Sequence, residues 1–255
     1  MPIDNYSYTN RMYNVHPVEK LLLAFLTMIL CFVFDIYTNI AVIILMFMIT
    51  VLKAKIPGKV YIKLMLIPFS FLMISVLAII INVIGDKSAA LISLNIFGVT
   101  LGITPKGIST AVTLFFRTLA VVSCLYFLVL TTPVVDIIDI LKKLKIPSLF
   151  LELLQLTYRL IFVLFDTAGE IYTSQNSRLG YATLENSYRS LGLLISSLFI
   201  KSYKDSQDLY VALEARCYNG GLKVISKDYR FCYRNLIFIV LIELVLISTS
   251  ILLRR

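Results

Sequence analysis

Apolar residues are gathered in long runs that short polar or basic segments separate. The first two runs, 21–34 and 40–52, lie on either side of Asp35 and Asn39. A single helix over 21–52 would be about 48 Å long, well beyond the roughly 30 Å hydrocarbon core of a bilayer. The pattern therefore predicts two short spans that form a tight hairpin and turn near Asp35 and Asn39.

Further apolar runs predict a third, a fourth and a last span at 64–84, 108–130 and 235–253. Pro68 is expected in the first turns of the third span, where a missing amide proton costs least. The mixed segment 85–107 is expected to be an external loop or an interfacial piece. Arg117 is the one charge inside the fourth span, and Glu243 of the last span is its candidate partner.

Composition confirms the class of protein that the pattern indicates. Of the 255 residues, 59% are apolar and only 15% are charged, and the mean hydropathy is +0.88. Soluble domains carry about 25% charged residues, so this chain is a membrane protein rather than a disordered chain or a disulfide scaffold. We expect an all-α polytopic membrane protein with about five transmembrane helices and a cytoplasmic insertion of three long coupling helices.

The distribution of charge predicts the orientation. The chain has 24 basic and 15 acidic residues, and basic residues collect on the cytoplasmic flanks of membrane spans. Arg11 and Lys20 precede the predicted hairpin, and Lys53 and Lys55 follow it. Both ends of the hairpin, and with them the amino terminus, are therefore expected in the cytoplasm. Five spans would leave the two carboxy-terminal arginines outside, a mild exception to this rule.

Residues 131–234 differ from the rest of the chain, because they hold thirteen of the 24 basic residues. Thr132-Pro133 is expected to start an amphipathic helix that ends at Pro147, with Thr132 as its cap. Two long helices are expected to follow, at 148–178 and 184–218. The first of these is expected to lie tangential to the bilayer, although a sixth span is an open alternative.

The predicted organisation therefore has three parts. Residues 1–130 form an amino-terminal bundle of four spans, residues 131–234 form the coupling helices, and residues 235–255 form the last span.

The two long coupling helices finish in a similar way. Each has a small residue, an arginine and a nearby glycine, in Ser177-Arg178-Leu179-Gly180 and Ala215-Arg216-Cys217-Tyr218-Asn219-Gly220. Glycine after the last turn allows a left-handed C-cap and exposes the helix end. An exposed guanidinium suits a carboxylate or a ring of carbonyls in a partner's groove. The alternative is that each arginine merely stabilises the negative end of its own helix.

Catalytic and metal-binding patterns are absent from the sequence. His16 is the single histidine, and it lacks the companions that a metal site needs, so we expect a structural role beside Pro17. Gly102 and Gly107 resemble the start of a phosphate loop, but the lysine that should follow is missing. The four cysteines form no CxxC pair and are expected to be buried reduced thiols.

Motifs along most of the chain carry a family resemblance. They are Ile3-Asp4-x-Tyr6-Ser7-Tyr8-x-Asn10-Arg11, Val15-His16-Pro17-x-Glu19-Lys20, Thr132-Pro133, Ile146-Pro147, Tyr158-Arg159 and the two arginine motifs. In this order they resemble the CbiQ proteins, the transmembrane coupling (T) component of energy-coupling-factor (ECF) ABC transporters in the cobalt and nickel branch. The specificity of the resemblance comes from order and context, since each piece alone is short.

The resemblance implies a function and a set of partners. The chain would be a non-catalytic subunit of a prokaryotic plasma-membrane importer for cobalt, with nickel as the close second and a vitamin as a further candidate. Its partners would be two ABC ATPases similar to CbiO, which bind ATP and Mg²⁺, and a substrate-binding subunit similar to CbiM, with CbiN as an additional candidate. No cofactor, metal site or nucleic acid is implied for this chain, whose remaining partner is membrane lipid.

The resemblance also implies a docking role for six residues. In the family, two Ala-Arg-Gly-like motifs at the tips of coupling helices each insert into a groove of one ATPase. The matching residues are Ser177, Arg178 and Leu179, and Ala215, Arg216 and Cys217. Cys217 departs from the family pattern, in which glycine is usual, so its side chain is expected to alter the fit.

A secondary carrier or channel for an ion or small solute is the alternative function. That class is expected to show internal repeats, broken helices and ionisable residues at mid-membrane. The sequence shows no repeat between its halves, and only Arg117 lies deep in a predicted span.

Overall fold

A computed structural model describes residues 2–83, 92–96, 99–144, 146–218, 229 and 233–253. These residues are predominantly helical. In chain order the elements are α1 (Pro2–Thr9), α2 (Pro17–Val33), α3 (Ile36–Met48), a π-helical turn (Ile49–Lys53), α4 (Gly58–Ile80), β1 (Ile81–Val83), β2 (Ile92–Ile96), β3 (Val99–Ile103), α5 (Pro105–Thr131), α6 (Val134–Lys143), α7 (Ser148–Ser177), α8 (Leu184–Ala215) and α9 (Tyr233–Leu253).

The predicted break between the first two apolar runs is confirmed near Asp35, whereas Asn39 lies within α3. α2 ends at Val33, Phe34 has extended backbone, and α3 begins at Ile36. The break is short. Asp35 is the residue directly before α3, and the Asp35 carbonyl accepts the Asn39 N–H at 3.3 Å. α2 has only 17 residues, which corresponds to about 25 Å of helix.

The third helix begins earlier than the sequence predicted. α4 starts at Gly58, so Pro68 lies in its interior rather than in its first turns. Lys59 and Lys63 therefore belong to the helix, where both are exposed on its surface. The prediction was wrong because these lysines resemble a polar flank, although a lysine fits the end of a membrane helix when its ammonium can reach the interface.

A small sheet lies partly in the segment expected as an external loop and partly in the predicted third span, whose residues 81–83 form β1 rather than helix. β1, β2 and β3 pair antiparallel in the order β1-β3-β2, with Ile81 opposite Ile103 and Ile96 opposite Val99. The sequence did not reveal these strands, because each has only three to five residues and so shows too short an alternation of apolar and polar positions. The sheet is an addition to the predicted all-α class and lies between α4 and α5.

α5 is the central helix of the transmembrane bundle, and it packs against α1, α2, α3 and α4. Small residues allow this close approach, because Ala111, Ala120, Ser123 and Cys124 on α5 are all fully buried. α9 packs against α2 and α3. The core between these helices includes Phe127 of α5.

The start of α6 differs in one detail from the expectation. α6 begins at Val134, directly after Pro133, as predicted. Thr132 does not cap it, however. Its backbone closes α5 instead, since its N–H donates to the Leu128 carbonyl, and its side-chain oxygen has no hydrogen-bond partner among the described residues. The N–H group that a side-chain cap would bind is bonded to the backbone instead, since the Asp136 N–H donates to the Pro133 carbonyl at 3.1 Å.

Three helices lie between α5 and α9, as predicted, but only two of them are long. α6 has 10 residues, whereas α7 has 30 and α8 has 32. α7 ends one residue before the predicted boundary and α8 three residues before it. Thr183 caps α8 through its side-chain oxygen, which accepts the Asn186 N–H at 3.2 Å.

The described residues group into two compact units. The bundle unit comprises Pro2–Asp136 and Asp228–Arg255, and the insertion unit comprises Ile137–Lys227. The insertion unit is built on α7 and α8, which pack against each other.

Five described helical segments are long and apolar enough to cross a membrane. They are Ile36–Lys53, Gly58–Ile80, Gly107–Thr131, Ser148–Ser177 and Tyr233–Ser250. The class of an all-α polytopic membrane protein is thereby confirmed, although this set includes α7 and omits the shorter α2.

The predicted pairing of Arg117 with Glu243 is wrong. No ion pair joins them, and both carboxylate oxygens of Glu243 lack a hydrogen-bond partner in the described part of the chain. The reason is depth. Arg117 lies fourteen residues, about 21 Å, from the end of α5 at Thr131, and Glu243 only eight residues, about 12 Å, from Asn235. Thr131 and Asn235 bind neighbouring residues of α2, so they lie at a similar level of the bundle. Arg117 is therefore farther from that level than Glu243.

The cysteine prediction is confirmed in part. Cys31 and Cys124 are fully buried free thiols in the bundle core. Cys217 is a free thiol too, but it is exposed because it lies beyond the last residue of α8. Cys232 lies outside the described residues.

Candidate functional site

The end of α7 places Arg178 at a helix terminus of defined geometry. Arg178 is the residue that closes α7, with φ −98° and ψ 19°. The next residue, Leu179, has φ 59°, in the left-handed region. The Leu179 N–H donates to the Asn176 carbonyl, and the Gly180 N–H donates to the Gln175 carbonyl at 2.9 Å. This pair of bonds is the Schellman motif, which satisfies the last carbonyls of a helix.

The end of α8 repeats this geometry. Arg216 closes the helix with φ −97° and ψ 16°, and Cys217 follows with φ 55°. The Cys217 N–H donates to the Glu214 carbonyl at 2.9 Å, and the Tyr218 N–H donates to the Leu213 carbonyl at 3.0 Å. Two helices of similar length therefore end in the same motif, each with an arginine at the same position.

Both arginines are available to a partner. Arg178 and Arg216 are exposed. The ion pairs among described residues, Lys142–Asp139 and Lys201–Asp205, involve neither of them. The flanking Ser177 and Leu179 are exposed, as are Ala215 and Cys217. The six residues of the two motifs thus form two exposed tips, called here the α7 tip (Ser177, Arg178 and Leu179) and the α8 tip (Ala215, Arg216 and Cys217).

The left-handed residues are not the ones that the sequence indicated. Glycine was expected to allow the left-handed cap, yet Leu179 and Cys217 adopt it. An L-residue in this conformation costs roughly 1–2 kcal/mol, because its Cβ approaches the following carbonyl. The glycine that the resemblance implies at the third position of each motif would avoid this cost, and this chain has it in neither tip.

Gly180 has a different role from the one expected. A Cβ at this position would lie 2.7 Å from Ser190 Oγ and 2.8 Å from the Gln175 carbonyl oxygen. The glycine is needed for this close approach, since the Ser190 hydroxyl donates to the Gly180 carbonyl at 2.9 Å. Gln175 adds a second link, because its amide donates to the Ser190 carbonyl at 3.1 Å and accepts from Tyr181 at 2.8 Å. The α7 tip is therefore fixed onto the start of α8.

A link at the α8 tip was missed at the sequence level. The Tyr218 hydroxyl donates to the Glu152 carboxylate, which lies near the start of α7. Glu152 is largely buried, so its carboxylate needs a partner of this kind. The sequence did carry a signal, because Glu152 is an acidic residue within an apolar run, but the sequence alone did not identify Tyr218 as its partner.

His16 takes the structural role expected of it. Its ring nitrogen Nδ1 accepts the Val18 N–H at 3.1 Å, so the side chain caps α2, with Pro17 at the first helical position. Such a cap satisfies one of the free amide groups at a helix start. Among the described residues, no three histidine, cysteine or acidic side chains are placed to hold a metal ion together.

Comparison with known protein families matches residues 9–226 to CbiQ, described as a cobalt transport protein. This match covers most of the chain and includes both tips. The chain belongs to the CbiQ family. It is therefore a multi-pass plasma-membrane protein of a transport system.

Individual relatives agree with the family assignment. The chain is 32% identical to the cobalt transport protein CbiQ of Salmonella typhimurium, over 86% of this chain and 97% of the relative. It is 31% identical to an uncharacterized protein of Methanocaldococcus jannaschii, over 96% and 91% of the two chains. It is also 28% identical to the energy-coupling factor transporter transmembrane protein EcfT of Ruminiclostridium cellulolyticum, over 82% and 80%. The chain is thus a membrane component of an ECF transporter.

Proposed function

We propose that this CbiQ-family chain is the subunit that couples ATP hydrolysis on partner ATPases to uptake of cobalt or nickel ions. The insertion unit would lie in the cytoplasm, and each tip would dock into one of two ABC ATPases similar to CbiO. The bundle unit would hold a substrate-binding membrane subunit similar to CbiM. The observation that carries the proposal is the repeated Schellman terminus with an exposed arginine at the ends of α7 and α8.

The geometry favours docking over a purely local role for the arginines. A cation that only stabilises its own helix needs a position somewhere in the last turn. Here both arginines occupy the same closing position and precede a left-handed residue, although that conformation is unfavourable for Leu179 and Cys217. The same unfavourable conformation at both tips supports the proposal that the shape of the tip matters for a partner's groove.

The proposed mechanism is mechanical. ATP-driven closure of the two ATPases moves their grooves, and charge-assisted hydrogen bonds from Arg178 and Arg216 carry α7 and α8 with them. The planar five-donor guanidinium fits a bidentate contact that the point charge of a lysine cannot reproduce. Removing one guanidinium leaves the facing carboxylate or carbonyls unpaired in a partly buried groove, at a cost of about 2–5 kcal/mol.

The first prediction tests this docking. In membranes that contain the full complex, Arg178→Ala and Arg216→Ala should each weaken ATPase association by at least about 30-fold, which corresponds to about 2 kcal/mol. Lysine at either position should rescue poorly. Co-purification of the ATPases and ion uptake are the two measurements, and the amount of inserted protein checks folding.

Lys204→Ala is the matched control, because Lys204 is an exposed basic residue of α8 that lies twelve residues from Arg216 and fourteen from Ser190. It should leave ATPase association unchanged. Full association in the Arg178/Arg216 double variant would overturn the proposed docking. Ion transport by this chain alone in vesicles would favour the carrier class instead.

A further inference from the structure

A largely buried polar cluster lies where the chain leaves and re-enters the bundle unit, and the docking mechanism makes no use of it. The chain leaves this unit after Asp136 and returns at Asp228. The members of the polar cluster all belong to the bundle unit and are Asn10, His16, Glu19, Lys20, Thr131, Asp136, Tyr229 and Asn235.

Lys20 holds the point of exit. Its ammonium donates to the carbonyl oxygen of Thr131, the last residue of α5, at 2.8 Å. The side chain is 2% exposed, so this is a buried charge. The Asn10 amide adds longer contacts of 3.4 Å to the same carbonyl and to that of Leu130. The last carbonyls of a helix carry its negative dipole end, so a cation there is well placed.

Tyr229 holds the point of re-entry. Its hydroxyl donates to Asp136 Oδ2 at 2.6 Å, which joins the last residue before the insertion to one of the first residues after it. Asp136 is 9% exposed. The His16 ring packs edge-on against the Tyr229 ring, with centroids 6.0 Å apart. The first-turn region of α2 therefore contacts both crossings.

The next helix is attached to the same turn of α2. The Asn235 amide of α9 donates to Glu19 Oε2 at 2.8 Å, and Glu19 is 3% exposed. Glu19 and Lys20 are consecutive residues, so one turn of α2 binds the end of α5 through one side chain and the start of α9 through the other. Any displacement of α5 at this level is passed to α2 through a direct bond.

Stability alone does not account for this arrangement. Burying an ammonium is expensive, and a buried polar network is often no more stabilising than apolar residues of similar volume. Hydrogen bonds of this kind add direction, because they fix which carbonyl meets which donor. The polar cluster is therefore suited to transmit position rather than only to fill space.

Resting on the proposed function, we infer that Lys20 is a positioning residue for coupled transport. It acts through the Thr131 carbonyl and, together with the Tyr229–Asp136 bond, fixes both crossings of the chain to α2. Motion that the ATPases impose on the insertion unit then reaches the spans. Without this fixation the ATPases still dock and hydrolyse ATP, but less of the motion moves the transported ion.

The test measures uptake per ATP hydrolysed in the complete complex reconstituted in proteoliposomes, with Co²⁺ as the transported ion. Lys20→Met keeps the length and apolar stem of the side chain but removes the ammonium. It should leave ATPase association and ATP hydrolysis within twofold of the original chain and lower Co²⁺ uptake about tenfold. Lys59→Met, which removes an exposed lysine of the same unit, should leave the uptake ratio unchanged.

Tyr229→Phe decides the matter if Lys20→Met fails to insert. It removes one hydroxyl and should lower the uptake ratio at least threefold while hydrolysis persists. A merely structural role would reduce hydrolysis and uptake in proportion, through loss of folded complex, and that result overturns the inference. An unchanged ratio in an inserted variant also overturns it. Failure of the original complex to show ATP-driven uptake would instead refute the proposed function.

Discussion

Cys217 is the residue at which local conformation and amino-acid type disagree most clearly. Its φ of 55° belongs to the left-handed region, in which a Cβ costs roughly 1–2 kcal/mol. Cys217→Gly should therefore stabilise the last turn of α8. We expect the Tyr218 amide, bonded to the Leu213 carbonyl, to gain about fivefold in hydrogen-exchange protection, or about 1 kcal/mol.

The matched control for this substitution is Cys217→Ala, which removes the thiol but keeps the Cβ. Alanine should leave the protection of the same amide close to that of the original chain. Equal gains in the glycine and alanine variants would show that the thiol, rather than the backbone conformation, limits stability at the α8 tip.

The sequence predicted the position of each arginine better than the conformation beside it. A helix that stops near a glycine is a reliable signal, and Arg178 and Arg216 do close their helices. The glycine signal pointed one residue too far at the α7 tip, because Gly180 is required by the approach of Ser190 rather than by its own φ. That approach depends on how α8 folds back on α7, which no local pattern specifies.

At the scale of elements, the bond between Tyr218 and Glu152 links the end of α8 to the start of α7. Tyr218→Phe would leave the largely buried Glu152 carboxylate without this donor, at a cost of about 1–3 kcal/mol. The last turn of α8 should then open more often, and the hydrogen-exchange protection of its amides should fall by at least about fivefold.

Tyr210→Phe provides the comparison, because it also removes a phenol from α8. The Tyr210 hydroxyl is fully exposed and bonded to Glu214, a bond that raises the pKa of Tyr210. Water can replace this bond, so the protection of the same amides should hardly change. Similar losses in both variants would mean that Glu152 does not depend on Tyr218.

Helix existence followed from the sequence, whereas contacts between helices did not. The apolar runs and the proline and glycine signals placed α5, α7 and α8 to within three residues of their observed ends. The start of α4 was missed because exposed lysines in a membrane helix look like a flank. Lys20 was interpreted as a basic flank too, although its ammonium is buried against the Thr131 carbonyl.

At the scale of the whole molecule, family and class could be predicted from ordered motifs and composition, but membrane depth could not. α7 is long and apolar enough to cross a bilayer. It exposes Arg159, however, and its later half also exposes Asp166 and Glu170. Charged side chains exposed to hydrocarbon are costly, so these residues favour a helix that remains on one side of the membrane. Average hydropathy hides these individual charges.

The last prediction concerns this depth. If α7 does not cross, its two ends lie on the same, cytoplasmic side. The test places one new cysteine at a time, Ser148→Cys or Ser177→Cys, in a chain whose Cys217 and Cys232 are changed to serine. Both new cysteines should react with a membrane-impermeant maleimide in inverted vesicles, and neither should react in intact cells. Cys31 and Cys124 can remain, because both are fully buried. Labelling of the two positions from opposite sides would contradict this and make α7 a span. The α7 tip could then lie in the cytoplasm only if Ser148 lay outside the cell.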